Sequence, residues 1–342
     1  MIAPLRLRLD GDALVANWRA LDAMSGSAAC GAAVKADGYG LGAREVVRRL
    51  AGAGCRDFFV ATWAEATDIA DLGVSITVLH GVRAEDMAAA RPASARPTLN
   101  SVEQVRRWRE AGGGACDVMI DTGMNRLGLS VADVASGLLD GLAIDTLMSH
   151  LACADENVEL NPRQRDALAG LAGRTSAKRL SLANSAGIAL GPDYAFDLTR
   201  PGLSLYGGIQ RSEFIGRIRQ VVRPEAQILQ RRRVPAGDSI GYSATFTASA
   251  DLEVAILNIG YADGYLRCFS GIGTAHAGDA ALPVLGRVSM DLVAVDVDAA
   301  PDLAEGDWVT LDYALQTTSA LSGLSQYELL TGLGGRFDRV WG

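Results

Sequence analysis

A chain of 342 residues, 49% hydrophobic and 21% charged, carries enough apolar sequence for one large and one smaller globular domain. Its formal net charge of −8 argues against nucleic acid or an anionic membrane as the main partner, and no apolar run reaches spanning length. Five cysteines without paired metal spacing (Cys30, Cys55, Cys116, Cys153, Cys268) and only three histidines argue for a reducing cytoplasm and against a transition-metal site.

In chain order, the alternation Leu5-Arg6-Leu7-Arg8-Leu9 predicts a strand over residues 1–9 and is unlike the apolar core of a signal peptide. Asp12 is placed to cap a helix with Leu14, Trp18, Leu21 and Met24 on one face. The apolar run Cys30 to Val34 predicts a buried strand, with Gly38 and Gly40 in the turn that ends it. A helix carrying Val46, Val47 and Leu50 follows, ended by Gly52 and Gly54. Next come a strand at Phe58–Ala61, a helix from Ala64 to Leu72, a strand at Ile76–Leu79 and a short helix around Met87. Pro97-Thr98-Leu99 leads into a helix with Val102, Val105 and Trp108. Strands at Cys116–Ile120 and Ile144–Met148 flank an apolar helical stretch from Val131 to Leu139. Pro162 opens a helix reaching Leu171, and strands at Leu180–Ala183 and Ala195–Leu198 complete the series.

Roughly eight strands alternating with helices over residues 10–214 predict an α/β fold, an N-terminal (β/α)8 TIM barrel. A doubly wound sheet competes, but no Gly-x-Gly-x-x-Gly follows the first strand. From Ile215 onward helical periodicity fades. Short strands at 254–257, 284–285, 292–295 and 308–311 predict a mainly β domain over residues 215–342, with which the strand at 1–9 pairs.

Catalytic side chains of a barrel project from the carboxyl ends of its strands. The unusual polar residues gather there: Lys35 and Tyr39, Asp121 to Arg126, His150, Asn184-Ser185, and Arg200-Pro201-Gly202. A lysine at a strand exit loses hydration, which lowers its pKa and equips it to hold a carbonyl cofactor as a Schiff base. Alone, such a lysine reads more readily as one snorkelling from a strand end.

The segments AVKADGYG, DTGMNRLGL, SHLACADE, LANSAG, TRPGLSLYG, GYSATFTA, IGYADGY and GRVSMD, in that order, resemble the alanine racemase family of two-domain pyridoxal-phosphate enzymes. The resemblance spans almost the whole chain. It implies pyridoxal 5′-phosphate as cofactor, interconversion of L- and D-alanine, and a homodimer with shared active sites. Lys35 would hold the cofactor and act as one base, and Tyr242 from the partner subunit as the other. Two bases on opposite faces of one planar carbanion suit racemisation. Arg200 resembles the arginine opposite the pyridine nitrogen, whose permanent charge weakens the cofactor as an electron sink. His150 resembles the residue that lies near the ring and hydrogen-bonds Arg200. Tyr39, Ser185, the Gly202–Leu203 backbone and Tyr327 resemble the phosphate cradle, and Asn184 joins this cofactor-binding set. Arg126 resembles the residue that holds the cofactor's phenolic oxygen and the substrate carboxylate, Met290 offers a backbone N–H to that carboxylate, and Tyr261 and Tyr265 line the entrance. No residue set resembles a metal site.

Three positions depart from the family pattern. Met119 stands where a carbamylated lysine often orients the arginine, Ser289 where a cysteine precedes the methionine, and Ser181 where a histidine is frequent. They bear on substrate preference and turnover, not on reaction class. A racemase for serine or another small amino acid is the nearest alternative. Barrel-type pyridoxal-phosphate decarboxylases resemble a site with a carboxylate at the ring nitrogen, against Arg200. Single-domain cofactor-binding barrels lack a β domain bearing Tyr242. Supply of D-alanine for peptidoglycan and its degradation both stay open.

Overall fold

The computed structural model describes residues 3–342. The chain divides into two compact units, one of Ala13–Arg219 and one of Gln220–Gly342 with the N-terminal residues up to Asp12. Strand β1 (Leu5–Leu9) belongs to the second unit; Met1 and Ile2, the start of the strand expected over 1–9, lie outside the described residues.

The first unit holds β2 (Ala29–Cys30), β3 (Ala32–Ala33), β4 (Asp57–Val60), β5 (Ser75–Val78), β6 (Arg96–Leu99), β7 (Cys116–Met119), β8 (Ile144–Met148), β9 (Arg179–Ser181) and β10 (Leu198–Thr199). Strands β3 to β9 form a curled, seven-stranded parallel sheet in sequence order, and β10 pairs with β2. The run expected as one strand at Cys30–Val34 is broken at Gly31. A Cβ there would lie 2.8 Å from both the Asp57 carbonyl oxygen and the Phe59 ring, so only glycine lets the chain cross β4 this closely. The last strand forms at Leu198–Thr199, not Ala195–Leu198, because a 3₁₀ turn at Pro192–Tyr194 and a left-handed Phe196 (φ 50°) occupy the preceding residues.

Phe58, Phe59, Val60, Ile76, Val78, Val118, Leu147 and Met148 are all buried, the near-continuous apolar pattern of parallel strands covered by helices. Helix Gly11–Met24 buries Leu14, Trp18 and Leu21 and starts ahead of Asp12, which therefore sits in its first turn. The stretch expected as helix to Leu139 ends at Ala135, and Gly137 (φ 79°) turns the chain. At the amino ends of the strands, Arg179 pairs with Asp57 (2.9 Å) and Asp145 (2.7 Å), and Arg96 lies 3.6 Å from Asp117 and 3.5 Å from Asp145. These charges close the end opposite the strand exits.

The second unit contains β11 (Val222–Val234), β12 (Ser239–Ile240), β13 (Phe246–Thr247), β14 (Leu252–Leu257), β15 (Thr274–Ala277), β16 (Ala280–Leu285), β17 (Val293–Asp296), β18 (Trp308–Leu311) and β19 (Asp338–Trp341). Its hub is β11, thirteen residues long. The amino half of β11 pairs antiparallel with β1 and β18, and its carboxyl half with β14. The pairings β11-β14-β17-β16-β15-β18 therefore close on themselves. Val234, Ile240, Ala248, Val254 and Leu285 form a buried cluster within this unit. Among the described residues no helix is long and apolar enough to cross a membrane.

Candidate active site

Lys35 leaves the sheet directly after β3, where the Val34 N–H donates to the Phe59 carbonyl at 2.8 Å. The next four residues, Ala36, Asp37, Gly38 and Tyr39, are all left-handed (φ 53°, 52°, 62° and 56°). Three of them carry a Cβ, and each such residue costs about 1–2 kcal/mol in this conformation. The sequence pointed to a glycine turn; the structure forms a left-handed helical turn that draws in Ala36, Asp37 and Tyr39. Its bonds hold it there. Gly38, Gly40 and Gly42 donate N–H to Val34, Ala36 and Asp37 carbonyls, each at 2.8 Å. The Asp37 carboxylate accepts from Ala43 (2.8 Å), and Glu65 accepts from Ala36 (2.8 Å) and Ala61 (2.6 Å). Strain of this kind persists only where the surroundings over-determine it.

Lys35 itself is half-buried and has no hydrogen-bond or ion-pair partner among the described residues. Burial foremost, and then the Arg126 cation, lower its pKa; Glu65 opposes them. His150 follows β8. Burial, then Arg200, Arg126 and Lys35, lower its pKa to about 3, so its imidazole is neutral at physiological pH. Lys35, Arg126, His150 and Arg200 thus share one electrostatic neighbourhood.

Arg200, only 6% exposed, donates from Nη1 to the Ser181 hydroxyl and from Nη2 to the Ser149 carbonyl (2.6 Å). Burial lowers its pKa to about 10, which leaves it a cation at neutral pH. The hydrogen bond expected between His150 and Arg200 is absent among the described residues; Nη1 and Nη2 are directed to Ser181 and Ser149 instead.

Arg126 is exposed and without a carboxylate partner among the described residues. It ends a loop built by Asp121, whose carboxylate accepts N–H bonds from Gly123, Met124 and Asn125 at 2.9, 2.9 and 3.1 Å. Asn125 is left-handed (φ 55°). Asp121 and Asn125 are therefore turn residues that present Arg126. Met119, at the end of β7, is buried and offers no anion.

The exits of β9 and β10 build a donor cradle. The Ser185 hydroxyl accepts from the Gly202 N–H (2.9 Å) and the Ser204 N–H (3.2 Å). Buried Tyr39 stacks on Tyr206 with ring centroids 4.7 Å apart, and the Tyr206 hydroxyl donates to the Ala33 carbonyl at 2.9 Å. Leu203 is buried beside Gly202, and the buried Ser204 hydroxyl has no partner among the described residues. The Asn184 side chain accepts from the Gly187 N–H at 2.9 Å, so Asn184 shapes the turn that carries Ser185. Backbone donors converging on one hydroxyl, an orphaned buried hydroxyl and an unpaired amine nearby fit a phosphorylated carbonyl compound. Pyridoxal phosphate is one.

The second unit carries the remaining residues. Tyr242 is 65% exposed and follows Gly241 (φ 78°), ahead of left-handed Ser243 and Ala244. Met290 is 53% exposed, and its carbonyl accepts the Ala262 N–H at 3.0 Å while Ser289 accepts that of Tyr261 at 3.0 Å. The Tyr261 turn is anchored by Asp263, fully buried, which accepts from Gly260 (3.0 Å) and Arg336 (2.6 Å). Arg336 also reaches Asp291 at 2.7 Å. Arg336 went unrecognised in the sequence because it lies 73 residues from Asp263 and no local motif marks it. Tyr265 does not line an entrance in this unit: it is 1% exposed and stacks on Phe269 with centroids 4.4 Å apart. Tyr327 lies on helix Gln326–Thr331, partly exposed. Among the described residues no group of three or more histidine, cysteine, aspartate or glutamate side chains could hold a metal ion.

With this geometry in hand, comparison with known proteins is specific. Residues 9–210 match the alanine racemase N-terminal domain and residues 221–341 the alanine racemase C-terminal domain. An alanine racemase of Cereibacter sphaeroides is 42% identical over 100% of this chain and 99% of its own length. That of Acidiphilium cryptum is 40% identical over 98% of each. The crystal structure of the Bartonella henselae alanine racemase, with covalently bound pyridoxal phosphate, superposes with a TM-score of 0.91 at 33% identity, covering 99% of both chains. The chain belongs to the alanine racemase family of pyridoxal-phosphate-dependent enzymes.

Proposed function

We propose that this chain interconverts L- and D-alanine by a two-base mechanism in a homodimer. The observation that carries the reading is Lys35, an amine without a partner whose proton is held weakly amid Arg126, His150 and Arg200. Pyridoxal phosphate, when bound, supplies an electron sink that acidifies the substrate α-proton. Lys35 Nζ carries the cofactor and handles the proton on the D-face. Tyr242, strongly exposed on its own unit, serves the opposite face from a second copy of the chain. Arg126 orients the substrate carboxylate, assisted by the Met290 N–H, and Tyr261 borders the substrate. Tyr39, Ser185, Gly202, Leu203 and Tyr327 hold the phosphate. Arg200 would face the ring nitrogen of the bound cofactor, where its permanent charge would oppose protonation and weaken the electron sink. Neutral His150 adds no further charge beside it.

The finer fold reading is a closed eight-stranded barrel. It is supported by backbone bonds on both sides of β10: Asp197 and Arg200 donate to Leu180 and Ala183 (3.1 and 2.8 Å), and Gly31 and Ala33 donate to Thr199 and Pro201 (2.9 and 2.8 Å). A cytoplasmic location accords with the five free thiols. Because enantiomers have equal free energy, the ratio of L- to D-alanine sets whether the reaction supplies D-alanine for peptidoglycan or removes it.

The test is Tyr242→Phe. It keeps the visible absorption of bound cofactor and lowers racemisation at least about 10²-fold, the loss of one acid–base group. Full activity in this variant would dismiss the two-base reading.

A further inference from the structure

We propose that Ser181 is a positioning residue for Arg200, gripping its guanidinium through a hydrogen bond whose polarity the strand fixes. Ser181 ends β9 and is fully buried. Its hydroxyl contacts the Leu198 carbonyl and Arg200 Nη1. A carbonyl only accepts and a guanidinium only donates. The single hydroxyl proton therefore goes to Leu198, and a lone pair is left for Arg200. Ser181 is thereby locked as an acceptor.

The other branch of the fork is held equally firmly. Nη2 donates to the Ser149 carbonyl at 2.6 Å, and the Ser149 N–H in turn donates to the Ser181 carbonyl at 3.0 Å. The Arg200 N–H donates to Ala183 at 2.8 Å. Two neutral acceptors on neighbouring strand exits thus fix a buried cation without neutralising it. No carboxylate lies within ion-pair distance of Arg200 among the described residues; Asp117 acts only at longer range, favouring the charged form. A carboxylate in place of Ser181 would cancel the charge. An alanine there would strand an N–H in a site only 6% exposed, and the guanidinium would swing to find another acceptor.

This inference rests on the reading that Arg200 faces the cofactor ring nitrogen, and the test separates the two. Ser181→Ala removes the acceptor; Ser181→Thr keeps it. On the cofactor-free protein, NMR follows solvent exchange of the Arg200 guanidinium protons, assigned by Arg200→Lys. On the holoenzyme, pyruvate formed per alanine racemised measures the side reaction. There the alanine C–N bond breaks and its α-carbon is oxidised to the ketone of pyruvate, whose oxygen comes from water, while the aldehyde carbon of the cofactor takes up the proton and is reduced to the amine that keeps the nitrogen. Ser181→Ala raises both the exchange rate and the pyruvate ratio at least tenfold, and Ser181→Thr restores both. Accelerated exchange with an unchanged pyruvate ratio would uphold the grip and refute the placement of Arg200 at the ring nitrogen. Unchanged exchange in Ser181→Ala, whether or not its thermal midpoint falls, would overturn the proposal.

Discussion

A Cβ built on Gly202 would lie 2.2 Å from the Tyr39 hydroxyl oxygen. The loop after β3, which starts with Lys35, therefore touches the loop after β10 directly, and the contact has no room for a side chain. Gly202→Ala forces the Tyr39 ring off Tyr206 or shifts the Gly202 N–H from Ser185. Overpacking of this kind costs roughly 1–3 kcal/mol. Cofactor binding, followed by fluorescence titration, weakens at least tenfold, while the folded state survives.

Lys35→Met removes the amine. Racemisation falls at least about 10³-fold, within the range for loss of an acid–base group, and the cofactor is no longer retained covalently. Stability moves the other way. The folded pKa of Lys35 lies below its usual 10.5, so its charge opposes folding at every pH below the folded pKa. That deficit shrinks as pH rises towards 10.5. The cofactor-free variant therefore shows a higher urea midpoint than the parent at pH 7, with a gap that closes towards pH 10.5.

His150 supplies a pH dependence of its own. Its folded pKa of about 3 lies below the usual 6.5, so between these values the unfolded chain binds the extra proton. The contribution of neutral His150 is complete above pH 6.5 and is lost as pH falls towards 3. His150→Asn cannot titrate. Its thermal midpoint falls less steeply than the parent's from pH 7 to pH 4, measured on cofactor-free protein.

Ala36 stores strain beside the amine. At φ 53° its Cβ costs about 1–2 kcal/mol, which glycine avoids. Ala36→Gly is therefore neutral or stabilising by urea unfolding, although glycine adds freedom to the unfolded chain. The control is Ala51→Gly in the ordinary helix Ala43–Ala53, which loses about 1 kcal/mol. A loss of that size at Ala36 would show that the turn is not strained as described.

Much of this was legible in the sequence because the signals are local. Apolar runs such as Phe58-Phe59-Val60 mark parallel strands, and the polar residues after them fall on the strand exits by construction. What stayed hidden depends on partners distant in sequence. Strand β11 places Pro224 and Ala226 between the buried Val222 and Ile228, and its run Gln230-Arg231-Arg232-Arg233 carries no apolar residue, so its full length is read only through its pairings with β1, β14 and β18. Tyr265 follows the Tyr261 turn closely enough to pass as a site residue, yet it packs inward on Phe269. The left-handed turn at Ala36–Tyr39 is held by Glu65, from the first turn of helix Trp63–Ile69, and no propensity of Ala36 announces it.

The most direct test of the central claim is α-proton exchange in deuterated water, with L-alanine and D-alanine supplied separately to the holoenzyme. Deuterium uptake and chirality are read together, with L-serine and L-lysine as comparison substrates. Uptake with inversion is expected from both alanine enantiomers, and little from the others. Cofactor bound without exchange on either enantiomer would contradict it.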